Sequence, residues 1–183
     1  MSFSRRLLKL LCILIALTQF SCGGGCTEKK HREALGKQAP DFTLPLLGQP
    51  DKSASLSEIV KNRGVLLVFW ATWCPSCVHE IPILNGWMRD YKDRGLVIYG
   101  INVGETPSKI TRFSKNISID YPVLLDTSKD VSASYGVSAL PVAVLLAKGG
   151  KIIYYGFSLP HIEKYFDPPE DMPSYKELTG DFG

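Results

Sequence analysis

From residue 38 onward, apolar and polar positions come in blocks whose period switches between two and about 3.6, the spacings of a strand and a helix. APDFTLPLLGQPDKSA, residues 39–54, reads as a short hairpin. Ser55 and Glu58 are spaced as a capping box that opens a short helix through Val60. VLLVFW, from Val65 to Trp70, is a continuous apolar run suited to a strand buried on both faces. A helix is expected from about Pro75 to Tyr91, because Ile81, Leu84, Met88 and Tyr91 recur at helical spacing. Pro82 is expected to kink it.

LVIYGINV, residues 96–103, is the next buried strand, and ETPSKITRFSKN predicts a helix with Thr106 as its cap and Pro107 in first position. YPVLLD, a short helix around Val131 to Tyr135, PVAVLLA, a turn at Lys148 to Gly150 and KIIYYGF complete the strands, and His161 to Phe166 can form a last helix. Strands alternating with helices indicate an α/β fold. The expectation is a central mixed sheet flanked by helices, with an N-terminal β-hairpin extension and an antiparallel hairpin at the end. Residues 167–183 are rich in proline and acid and read as an irregular tail.

At 183 residues and 45% hydrophobic, the chain has material for one domain with appendages, here residues 37–166. Its opening, MSFSRRLLKLLCILIALTQFSC, places Arg5, Arg6 and Lys9 ahead of an apolar stretch, the layout of an export signal over residues 1–21. An uncleaved anchor helix is the alternative, although the apolar core is shorter than the ~20 residues that a span needs. Cleavage before Cys22 removes three of the 21 lysines and arginines, leaving as many as the 18 acids. The basic balance therefore implies no nucleic acid partner. GGGCTEKKHRE, following Cys22, has no apolar periodicity and reads as a flexible tether within residues 22–36. The Ser21–Cys22 junction resembles that of a bacterial lipoprotein, and the resemblance implies that Cys22 carries a lipid anchor to a membrane. With plain secretion, Cys22 and Cys26 could pair or stay free.

Export leads to an oxidising compartment in which a cysteine pair can persist as a disulfide. Cys74 and Cys77 end the stretch FWATWCPSC, and three uses compete for them: a metal clamp, a structural staple or a working dithiol. A zinc site needs about four ligands, and the domain offers no second cysteine pair. A domain of this size folds on apolar burial without a staple. A cysteine at a helix start meets unpaired amide groups and the positive end of the helix dipole, which favour thiolate over thiol. Such cysteines typically have a pKa of roughly 3.5 to 7.5 against about 8.5 when free. Cys74 occupies that place. Cys77, one turn on, is within reach to attack a mixed disulfide formed at Cys74.

The flanks of this motif resemble the thioredoxin-like family, and within it the membrane-tethered TlpA, ResA and CcmG type. The match runs over roughly residues 37–166 and includes APDFTLP, WATWCPSC followed by HEIPIL, and DTSKDVSASYGVSALPVAVLL. The resemblance implies an extracytoplasmic thiol-disulfide oxidoreductase with a Cys74–Cys77 disulfide, no cofactor and no bound metal. It further implies a cis Pro141 packed against the pair, and a rim of Trp70, Trp73, Leu140 and Pro141 on which a partner chain lies. Protein thiols and disulfides are the implied substrates, apocytochrome c among them, with electrons from a membrane thiol-disulfide carrier. Thioredoxins carry a buried aspartate where this chain has Val68, and Glu80 stands where the cytochrome-maturation branch has a glutamate, so Glu80 joins Cys74 and Cys77 as a candidate catalytic group. Leu140 replaces the β-branched residue found in many relatives.

Three rivals remain at this point. A copper carrier of the cytochrome-oxidase-assembly type would use Cys74, Cys77 and His161, but that family spaces its cysteines by three residues. A peroxiredoxin-like peroxidase would need a threonine three residues before the nucleophile and a proline four residues before that, and Ala71 and Leu67 stand there. A docking module would use the same groove without turnover.

Overall fold

The computed structural model describes residues 33–167. The expected leader (1–21), Cys22, most of the tether and the tail from 168 onward lie outside the described residues. Seven strands form one sheet: β1 (Thr43–Leu46), β2 (Gln49–Ser55), β3 (Gly64–Trp70), β4 (Leu96–Val103), β5 (Val123–Asp126), β6 (Val142–Leu146) and β7 (Ile152–Gly156). Between them run α1 (Leu56–Ile59), α2 (Pro75–Asp90), α3 (Pro107–Ser114) and α4 (Asp130–Ser134), with 3-10 turns at Lys92–Arg94 and Ile162–Lys164.

The strand order is β2-β1-β5-β4-β3-β6-β7. β3, β4 and β5 are parallel, whereas β6 runs antiparallel to β3 and β7 antiparallel to β6. The sheet is therefore mixed. β3 lies inside it, and its residues from Val65 to Trp70 are all buried, which is why the sequence there is apolar at every position rather than at alternate ones.

Alternation along β3 divides the core between the two faces. Leu66 and Val68 pack with Leu84 and Tyr91 of the α2 side. Phe69 points the other way, its ring 5.3 Å from that of Tyr135, which also meets Phe42. The Tyr135 hydroxyl donates to the Pro40 carbonyl at 2.9 Å and so ties the N-terminal extension to that face. Gly100 of β4 is required by close approach: a Cβ there would stand 2.8 Å from the Tyr121 ring and 3.0 Å from the Trp70 indole nitrogen.

The expected elements are found, with corrections at their ends. Ser55 is the N-cap of α1 but makes no capping bond, because its hydroxyl pairs with Ser57 at 2.8 Å. The Ser57 amide is met instead by Asp41 Oδ1, at 3.1 Å, from sixteen residues upstream. The last helix is a 3-10 turn of three residues. α2 continues through Pro82 to Asp90, losing the one bond that the missing N–H would have made to Val78.

Candidate active site

β3 ends at Trp70 and the chain reaches α2 through Ala71, Thr72 and Trp73. Cys74 is the N-cap of α2, with extended backbone (φ −94°, ψ 105°), and Pro75 occupies the first helical position, where a missing N–H costs nothing. A disulfide joins Cys74 to Cys77 across a Cα–Cα distance of 5.3 Å. The Cys77 amide donates to the Cys74 sulfur at 3.3 Å. An unpaired helix amide thus already points at the atom that would become a thiolate on reduction, as the helix-start argument requires. Cys74 is nonetheless as enclosed as its partner in the disulfide state, at 4% exposure against 2% for Cys77.

Beside the disulfide, Trp73 is 65% exposed and gives the site an apolar shoulder. The Leu140–Pro141 bond is cis, Pro141 is buried, and Leu140 packs on the cluster that holds both cysteines. Trp70 is a correction. At 2% exposure it is no part of a surface rim; it lies under the cysteines and packs on Phe113 with ring centroids 5.8 Å apart. The reason is strand alternation, which turns Trp70 to the same inner face as Val68 and Leu66.

Glu80 lies three residues past Cys77, one helical turn away. Burial pushes its carboxyl up to about 7, and its Oε2 is buried without a hydrogen-bond partner. Its charge adds to burial in raising the Tyr121 phenol. Tyr121 in turn packs on Gly100, the β4 neighbour of Val68. These interactions therefore lead from Glu80 to the part of the sheet around Val68.

A second carboxylate was not anticipated from the sequence. Glu105, 5% exposed, follows β4 and accepts from the Thr72 amide and the Thr72 hydroxyl, both at 2.7 Å. Asn102 Nδ2 donates to it at 2.9 Å and Lys109 pairs with it at 2.6 Å. Burial alone would raise this carboxyl, but the bonds from Lys109, Asn102 and Thr72 outweigh it and hold the group below its ordinary value. Thr72, two residues before Cys74, is thereby fixed to the end of the neighbouring strand. An acid after the C-terminal end of a parallel strand, where sites of open α/β sheets gather, was the available signal.

His161 pairs with Glu163 at 3.4 Å, next to Ile162, which packs with Leu96 and Tyr91 rather than with the cysteines. Ala71 and Leu67 are fully buried.

With this geometry in hand, comparison with known proteins is decisive. A model of the AhpC/TSA family matches residues 35–155. The chain belongs to that family of thioredoxin-like proteins. It is 33% identical over 144 residues to the thiol-disulfide oxidoreductase ResA of Bacillus subtilis, covering 79% of each chain. The same identity and length relate it to ResA of Bacillus thuringiensis subsp. konkukian, at 82% of that protein. Among solved structures, a thiol:disulfide interchange protein from a Bacteroides species superposes with a TM-score of 0.65 at 27% identity, covering 75% of this chain and 93% of the other. The thioredoxin domain of a Bacteroides vulgatus thiol-disulfide oxidoreductase follows at 0.61 and 30%, covering 67% and 87%. The fold is thioredoxin-like, and the protein is a thiol-disulfide oxidoreductase.

Proposed function

We propose that this oxidoreductase is a reductant of protein disulfides outside the cytoplasm, exported by residues 1–21, anchored through a lipid on Cys22, and supplied with electrons by a membrane thiol-disulfide carrier. The observation that carries the reading is Glu80: a carboxyl with a pKa near 7, one turn from Cys77, beside a dithiol at a helix start. In the reduced enzyme the Cys74 thiolate attacks one sulfur of a substrate disulfide, forming a Cys74–substrate bond and expelling the other sulfur as a thiolate. Cys77 then gives up its proton and attacks the Cys74 sulfur. This closes the Cys74–Cys77 disulfide and releases the second substrate thiolate. Two electrons have passed to the substrate, and in this reading Glu80 takes the Cys77 proton.

Trp73 and Leu140 form the apolar surface against which the partner chain lies, with buried Pro141 and Trp70 supporting it from beneath. Apocytochrome c cysteines are the favoured substrate, since the sequence resemblance to the cytochrome-maturation branch and the position of Glu80 both support a role of that type. The deciding experiment is the reduction potential of the Cys74–Cys77 pair by equilibrium with glutathione or dithiothreitol. A value near the thioredoxin end of the range, about −270 mV, is expected, and one near about −120 mV would make the protein an oxidant. Titration of thiolate absorbance should show at least one cysteine pKa lowered in Glu80→Gln, because a nearby carboxylate disfavours a second negative charge. Superimposable curves would remove Glu80 from the chemistry.

A further inference from the structure

At the end of the sheet opposite the disulfide, three loops are stitched together by main-chain bonds. The Gly64 amide donates to the Gly95 carbonyl at 2.9 Å, and the Gly149 amide to the Val60 carbonyl at 2.8 Å. The first residues of the domain join them, since the Gly36 amide donates to Ile152 and the Ile152 amide to Lys37, and Gln38 bridges to Lys151. These loops expose Lys61, Arg63, Lys92, Arg94, Lys148 and Lys151. Lys37, also exposed, extends the set at the point where the chain enters the domain. The acids there are Glu58, paired with Lys61 at 2.7 Å, Asp90 and Glu163, whose charges both reach Tyr91, then Asp93, and Asp167 just beyond Phe166, whose ring covers Gly64; exposed Lys164 adds one more cation. Cations outnumber acids at this end even though the chain without residues 1–21 is neutral as a whole. The positive charge is segregated.

We infer that this basic end is a membrane-facing surface that rests on anionic lipid headgroups and turns the disulfide toward the aqueous compartment. The inference rests on reading residues 1–36 as leader and tether. A tether over residues 22–36 reaches at most roughly 50 Å when fully extended, and it joins the domain at the basic end, so that end is the one kept near the bilayer. Lysines and arginines held there are drawn to a negative surface potential that fades within a Debye length, about 8 Å at physiological salt. β3 is seven residues long, so its two ends stand roughly 20 Å apart, and contact at one leaves the other clear of the headgroups.

The test is amide hydrogen exchange of the full chain on phosphatidylcholine vesicles with and without about one third phosphatidylglycerol. Loops 60–63, 92–95 and 148–151 should exchange roughly tenfold more slowly on the anionic vesicles, and the protection should vanish at about 0.5 M salt. It should vanish as well in an Arg63→Glu/Arg94→Glu/Lys148→Glu variant that still exchanges with a small disulfide; if that variant does not, Lys148→Glu alone carries the comparison. Binding to both vesicle types with equal exchange would overturn the surface and leave the tether standing. Binding to anionic vesicles alone, with the loops protected, would uphold the surface and overturn the tether, and binding to neither would overturn both. Stronger protection by soluble polyglutamate than by anionic vesicles would overturn the surface in favour of an acidic protein partner.

Discussion

Glu80 is costly to keep where it is: its carboxyl is driven up to about 7 by burial, with one oxygen unpaired. The sign of the consequence for stability follows from linkage. Below about pH 4.5 the group is protonated in both folded and unfolded chains; as pH rises toward 7 the unfolded chain ionises first, and stability falls; above that the penalty is constant. Glu80→Gln keeps the neutral form at every pH, so urea unfolding of the oxidised proteins should find it more stable at pH 8 by on the order of 1–2 kcal/mol, with the gap mostly closed at pH 5. A constant gap would mean that the shift is absent. Gly100→Ala should cost about 1–3 kcal/mol in the same assay, because the new methyl must displace the Tyr121 and Trp70 rings. At this scale much was legible. The two cysteines stood out by spacing and type and Glu80 through the family resemblance, whereas Trp70 was misplaced although the period of two along β3 would have turned it inward with Val68.

The junction of β3 with α2 depends on Glu105, which fastens Thr72 through both its amide and its hydroxyl. Glu105→Ala leaves that amide and Asn102 Nδ2 without their acceptor, and a loss of about 2–3 kcal/mol is expected by denaturant unfolding at pH 7. Because the Glu105 carboxyl is held below its ordinary value, its stabilisation is present above the unfolded carboxylate pKa and is lost as pH falls through the folded one. The deficit of the variant should therefore shrink in acid, and a deficit independent of pH would reduce Glu105 to packing. Helices and strands were legible where one period dominated, as in VLLVFW and in the Ile81, Leu84, Tyr91 stripe. The joints between them were not. The amide near the start of α1 is met by Asp41 and the turn before Cys74 by Glu105, sixteen and 33 residues away, and no local pattern encodes partners at that distance.

Across the whole molecule, the sheet separates a redox end from a basic end where the chain enters. This division was hidden in a sequence whose charges balance once residues 1–21 are set aside and whose cations come from three separate loops and the start of the domain. The proposed lipid tether leads to a simple expectation: Cys22→Ser should leave the membrane fraction and keep full disulfide-exchange activity. Retention of that variant on carbonate-washed membranes would favour an uncleaved N-terminal helix. The division of labour between Cys74 and Cys77 is the centre of the account, and trapping with a protein disulfide tests it most directly. Reduced Cys77→Ser should accumulate a mixed disulfide that peptide mapping assigns to Cys74, while Cys74→Ser should trap nothing. A mixed disulfide mapped to Cys77 in the Cys74→Ser protein, formed as fast as the other, would contradict it.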